Sequence, residues 1–297
     1  MKIKLPGIVL FFLSLTGCIK ETLDKCPEGN VYINIYAEKF QTNTSDCNQD
    51  IEEQIGKRIR FMHCILYKED TCVIDTVIES LSEVQDSHYR IQFDGLPFGD
   101  YNLLIIGNCI PETMVGDYHR RGVMSLVYLG IEQADDMFAA LLAFTVDRNE
   151  TIQLETKLRR LLGVVRCEIN GIPDKISEIE IVLHNINRQL GKGGIFSNAI
   201  DISKRVPVNR THSSLPLSIL MGVFPTVPNK PAVYELKFYT QGQEEAVYNK
   251  VISDKIDIPR NQMIELITDL SDGEIHFTIR LDSKWKDYIN GGEIGIH

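Results

Sequence analysis

Hydrophobic and polar positions alternate along much of this chain, and the alternation predicts strands. Val31, Ile33, Ile35 and Ala37 fall on one face of an extended segment, and Tyr32, Asn34 and Tyr36 on the other. A period of two marks a half-buried strand, because successive side chains leave opposite faces. Ile59 to Tyr67 and Cys72 to Ile78 read as strands around a turn at Lys68-Glu69-Asp70-Thr71, which is a hairpin signal. Tyr89 to Phe93 alternates, residues 94–100 form a corner rich in turn formers, and Tyr101 to Ile106 is an apolar run of strand length. Glu132 to Phe144 is predicted as a short helix, because Met137, Ala140, Leu141 and Phe144 share a helical face. Thr151 to Leu158 alternates again.

The second half repeats this logic. Leu161 to Ile169 is a predicted strand, followed by a turn at Asn170-Gly171-Ile172-Pro173. Ile179, Ile181 and Leu183 alternate with polar or outward positions, and residues 187–215 read as loop. Val233 to Thr240 and Ala246 to Ile252 flank a turn at Gln241-Gly242. Met263 to Leu270 and Ile275 to Leu281 flank Ser271-Asp272-Gly273-Glu274, and Asp-Gly between alternating runs is a strong hairpin signal. Short strands punctuated by turns in both halves predict two β-sandwiches in tandem. The expected boundaries are 31–155 and 156–297, with Asn290 to His297 loose or free to pair elsewhere.

The N-terminus is an address. Lys2 and Lys4 precede the apolar run Leu5 to Leu15, which is shorter than the roughly 20 residues that span a bilayer. Leu15-Thr16-Gly17-Cys18 then resembles the bacterial lipobox, in which small residues lead to the cysteine whose thiolate takes a diacylglycerol. Residues 1–17 are therefore expected to be a lipoprotein signal peptide, with Cys18 the lipidated N-terminus and 18–30 a polar tether. Several acyl chains hold a protein stably, since each buried methylene contributes about 0.8 kcal/mol.

Charge and cysteines narrow the function. The formal charge is −10 and becomes −12 once Lys2 and Lys4 are removed. That disfavours nucleic acid and anionic headgroups as partners. With Cys18 lipidated, Cys26, Cys47, Cys64, Cys72, Cys109 and Cys167 remain. An exported chain with six cysteines can form disulfides in fifteen connectivities, with Cys64 and Cys72 placed to face each other across the first hairpin; buried free thiols are the alternative. No CxxC, HExxH, GxSxG or phosphate-loop spacing occurs. Gly191-Lys192-Gly193-Gly194 reads as a flexible loop and residues 269–274 as a turn rather than a calcium loop. His63, His184 and His276 sit in predicted strands and are expected to be strand residues rather than ligands. No catalytic residue, metal or cofactor is expected.

An ordered series of short motifs carries a family resemblance. It runs from Cys18 and Cys26-Pro27 through the Val31–Tyr36 strand and the corner Phe93-Asp94-Gly95-Leu96-Pro97-Phe98-Gly99-Asp100-Tyr101. It continues with Ala134-Asp135-Asp136-Met137-Phe138, Leu158-Arg159-Arg160, Asn170-Gly171-Ile172-Pro173 and Trp285. The series resembles the FimB-type fimbrial anchor lipoproteins of Bacteroidales over nearly the whole mature chain. The resemblance implies mainly β structure in two tandem transthyretin-like sandwiches and a non-enzymatic lipoprotein on the outer-membrane surface. It also implies partnership with fimbrial stalk subunits and control of fimbrial assembly by strand addition. A lipid-tethered chain cannot lose its first strand and stay attached, so Val31–Ala37 is expected to remain in its own sheet. Lys57, Arg58 and Arg60 are the basic positions where a stalk-type subunit would be trimmed, or else exposed strand residues. An accessory or tip subunit, and a surface glycan- or protein-binding lipoprotein, are the alternatives. Clustered Trp and Tyr would favour the binding lipoprotein, but Trp285 is the single Trp and the eleven Tyr are dispersed; anchor and accessory or tip subunit are not separated, because both can be lipidated precursors.

Overall fold

Val31, Ile33 and Ile35 are each fully buried, while Tyr32, Asn34 and Tyr36 keep partial contact with water. The alternation read at the first strand is thus a division between core and solvent. The computed structural model describes residues 27–38, 54–127, 136–208, 216–227, 229–271 and 274–282. It is mainly β. In chain order the strands are β1 (Glu28–Ala37), β2 (Met62–Lys68), β3 (Thr71–Ile78), β4 (His88–Pro97), β5 (Gly99–Gly107), β6 (Met114–Val115), β7 (Ser125–Val127), β8 (Phe138–Val146) and β9 (Ile152–Arg160). They continue as β10 (Gly163–Asn170), β11 (Glu178–Leu190), β12 (Phe196–Pro207), β13 (Leu217–Val223), β14 (Ala232–Tyr239), β15 (Tyr248–Ile256), β16 (Met263–Asp269) and β17 (His276–Asp282). The helical turns among the described residues are short 3-10 pieces such as Ile55–Lys57.

One pairing scheme occurs twice. In the N-terminal half β1 pairs antiparallel with β4 and parallel with β9, β2 pairs with β3 and β5, and β5 with β8. In the C-terminal half β10 pairs antiparallel with β13 and parallel with β16, β11 pairs with β12 and β14, and β14 with β15. The second copy adds β17, antiparallel on β16. In the first copy β8 and β9 meet only at Phe138–Arg160 and Ala139–Arg159, so the seven-stranded sheet turns there and encloses its own core. That core holds Val31, Ile33, Ile35, Leu66, Leu103, Phe138 and Leu158. A second core, between the four- and six-stranded sheets, holds Val165, Cys167, Ile181, Leu183, Tyr234, Leu236 and Leu266. The short hairpin β6–β7 crosses between the halves: β7 pairs with the far end of β11, and Leu126 enters the second core.

Three expectations are corrected. The stretch expected as helix up to Phe144 is strand β8 from Phe138 onward; residues 132–135 lie outside the described residues. Leu141, which the helical reading turned inward, is 60% exposed, while Phe138, Phe144 and Val146 are buried at strand spacing. Residues 187–208, expected as loop, are the end of β11 and all of β12, which form a long antiparallel hairpin. Asn185, at φ 63°, breaks the alternation there, and the pairing skips between Leu183 and Ile186. The corner expected at residues 94–100 narrows to Phe98; Asp94 and Gly95 form a bulge within β4, where the register to β1 shifts.

Beyond these, β9 runs through residue 155, where the sequence places the division between halves, and stays paired with β1 as far as Leu158. Strand β13 went unread in the sequence. The signal peptide and tether to Cys26, the Asp272-Gly273 turn, Trp285 and the C-terminal residues 290–297 lie outside the described residues.

Candidate functional site

Strand β1 is held from both sides. Val31 to Ala37 runs in parallel register with Ile152 to Leu158, and Val31 to Tyr36 runs antiparallel to Phe93 to His88. Ile33 therefore lies between Ile91 and Leu154, with no exposed surface of its own. The corner motif serves the entry to this strand. The Asn30 side chain accepts a hydrogen bond from Gly95 N (3.1 Å) at the bulge, and Phe98 N donates to Pro27 O (3.0 Å). Tyr101 lies under the same corner, donates to Pro97 O (2.6 Å) and stacks on Phe144 at 5.6 Å. The Asp-Gly-Leu-Pro-Phe-Gly-Asp-Tyr run is thus a structural clamp, in which a buried tyrosine finds the partner its hydroxyl needs.

The exit of β1 is held by charge. Glu38 N donates to Leu158 O (2.8 Å), adding a rung to the β1–β9 ladder, and its own carbonyl accepts from Arg58 Nη1 (2.6 Å). Its carboxylate accepts from Arg260 at two oxygens (2.8 and 3.2 Å) and from Arg160 N (3.2 Å). Arg160 is fully buried; it pairs with Asp136 at 2.5 Å and lies over the Phe138 ring at 5.2 Å. Burial holds its guanidinium down at about 10, with Asp136 pulling the other way. Asn108, also buried, donates to the carbonyls of Arg58 and Asp136. Of the proposed trimming positions, Arg58 is nearly buried and engaged in this cluster, while Lys57 and Arg60 are exposed next to it.

The cysteines fall apart. Cys64, Cys72, Cys109 and Cys167 are free thiols, and Cys18, Cys26 and Cys47 lie outside the described residues. Cys64 stands opposite Thr76, and Cys72 opposite Tyr67, so they do not face each other across the β2–β3 hairpin. Burial pushes the Cys64 thiol up to about 12 and raises that of Cys167. His63 lies in β2 against Asp75, and His184 in β11 sits between Asp201 (3.0 Å) and Glu235 (2.9 Å). Burial lowers the His184 pKa, but the hydrogen bonds to Asp201 and Glu235 outweigh it and leave it raised. His276 in β17 stands opposite Asp269. Among the described residues no group of three or more His, Cys, Asp or Glu side chains could hold a metal, and no helix is long and apolar enough to cross a membrane. A cleft of about 460 Å³ opens at the β11 bulge, lined by Asn185, Asn187, Asn198, Asn229 and Phe196 among others.

The model of the fimbrillin-A associated anchor proteins Mfa1 and Mfa2 matches residues 23–291. The chain belongs to this anchor family. The resemblance to fimbrial anchor proteins drawn from the motif series is therefore shown. Solved structures agree on the fold. The fimbrial anchor protein Mfa2 of Porphyromonas gingivalis is 11% identical with a TM-score of 0.53, over 86% of this chain and 98% of that one. A candidate adhesin of Bacteroides ovatus is 9% identical with a TM-score of 0.59, over 88% and 97%. A protein of Bacteroides thetaiotaomicron described as polysaccharide binding is 11% identical with a TM-score of 0.60, over 86% and 96%. No curated protein matches the chain. Membership makes it a fimbria-associated protein of a family that is not known to be enzymatic.

Proposed function

We propose that this Mfa2-family chain is the base subunit of a fimbria, tethered to the outer membrane by lipid on Cys18 and unable to be extended at its own first strand. Its two halves act as tandem sandwiches that meet just after Arg160. The observation that supports this reading best is the seat of β1, which lies one strand in from the β4 edge of its sheet, is apolar on its inner face and is paired on both sides. A subunit that accepts a neighbour's strand must offer an open edge, since main-chain hydrogen bonds give the affinity in strand addition. With β1 in place the chain closes growth on that side, while its lipid holds the assembly to the cell. The test is to isolate the protein from outer membranes of fimbriated cells and run it unheated and boiled on denaturing gels. A heat-labile ladder above the monomer, containing stalk subunits by mass spectrometry, is expected. A lone lipidated monomer from such cells contradicts the anchor role.

The asparagine-lined cleft favours a second reading, a surface subunit that holds a neutral saccharide. The amides, the Phe196 ring and the opposed charges of Lys230 and Asp254 that line it suit vicinal hydroxyls and an apolar sugar face. Retention of purified protein on a glycan array, abolished by Asn185→Ala with Asn229→Ala, would move weight to it.

A further inference from the structure

Glu38 is the first residue after β1, and its partners come from three separate parts of the chain. Arg58 belongs to the 3-10 turn before β2, Leu158 and Arg160 to the end of β9, and Arg260 to the loop before β16 in the C-terminal half. Arg260 Nη1 bridges two acceptors, Glu38 Oε2 at 2.8 Å and Arg160 O at 2.7 Å, so a single guanidinium ties the ends of both β1 and β9 to the second half. The loop that carries it is itself fixed. Asn261 N donates to Leu162 O (2.9 Å), Val164 N donates to Gln262 O (3.0 Å), and Pro259 O comes so near Gly163 that a Cβ there would lie 2.3 Å away. The ion pair is partly shielded, with side-chain exposures of 31% for Arg260 and 21% for Glu38. Bidentate, partly buried pairs of this kind hold more firmly than exposed ones.

We infer that Glu38 and Arg260 form a clasp that couples retention of β1 to the docking of the C-terminal half. The first strand cannot peel from its exit end while the loop before β16 is seated, and unseating that loop loosens the strand. Arg160 positions the clasp: its amide and carbonyl meet Glu38 and Arg260, and its buried side chain anchors the end of β9 through Asp136. The device matters to a cell only if β1 has to be retained, as proposed above, but it is read in the purified chain without fimbriae, so the two ideas fail separately.

The experiment is amide hydrogen exchange by mass spectrometry on the purified full chain, followed in a peptide covering Val31 to Tyr36. Glu38→Gln, Arg260→Met and the double variant are compared with the parent, and Arg205→Met, which breaks a distant exposed pair with Glu178, serves as control. Exchange in β1 is expected to rise about tenfold in each single variant, the loss of one charge-assisted pair discounted for partial exposure. The double variant should be no faster than the singles, because both remove the same interaction. Unchanged protection of β16 in Glu38→Gln shows that the second half remains folded while β1 loosens. The clasp is overturned if Arg260→Met leaves β1 within about twofold of the parent, if the double variant shows the product of the single effects, or if Arg205→Met loosens β1 as much.

Discussion

Replacing Ile33 with Ala probes how firmly β1 is built into its sheet. Ile33 has no exposed surface and stands in register between Ile91 and Leu154. The substitution removes three carbons, about 2.4 kcal/mol at about 0.8 kcal/mol each. The cavity left in the core beneath the sheet adds to this, because the neighbouring backbones are fixed by their ladders. The whole cost should be about 3 to 4 kcal/mol, within the range seen for buried Ile→Ala. For a chain of this size that lowers Tm by about 6 to 16 °C. Tyr32→Ala is the comparison, since Tyr32 sits one residue away on the partly exposed face; it should cost about 1 kcal/mol or less. Urea unfolding followed by circular dichroism reads both, as a lower midpoint with an unchanged slope. Equal effects of the two substitutions would refute the reasoning, because β1 would then have no buried face to lose.

Other parts of the structure can be tested in the same way. Cys72, half-buried, should alkylate slowly in the native protein, while Cys64, Cys109 and Cys167 should not react until the chain unfolds, as peptide mapping after iodoacetamide would record. His184 gains two carboxylate partners on folding, so its raised pKa adds stability that is complete below its unfolded value, about 6.5, and is lost as pH rises through the folded one. His184→Gln should therefore flatten the fall in Tm between about pH 6 and 8, and an unaltered slope would contradict the pairing. Gly163→Val drives side-chain atoms into the Pro259 carbonyl, and a loss of about 2 kcal/mol or more is expected in the same urea assay.

How much of this could be read from the sequence depended on which residues break the alternation. β1 was legible because its apolar positions follow the pleat without interruption, and the β2–β3 and β16–β17 pairs because turn-forming residues separate two strand-length runs; β2 itself does not alternate, being buried from Met62 to Tyr67. β8 was not, since Met137, Ala140, Leu141 and Phe144 also satisfy a helical spacing, and only the sheet decides that Leu141 faces solvent. The β11–β12 hairpin hid behind Asn185 and Asn198, whose left-handed backbones and polar side chains read as loop. The clasp was the least legible part, because Glu38 and Arg260 are 222 residues apart and ordinary surface residues in any local window. Arg160 alone carried a signal, as a charged residue entering the apolar run Leu161-Leu162-Gly163-Val164-Val165. Sequence periodicity marks which face is buried, but not which distant charge closes the end of a strand.

As a lipid-tethered base subunit, the protein should keep its first strand in its surface form. Intact-mass and N-terminal peptide analysis of the protein taken from outer membranes tests this most directly. A chain that begins at acylated Cys18 and contains Val31 to Ala37 is the predicted result. A stable surface form that begins beyond Glu38 would contradict the account.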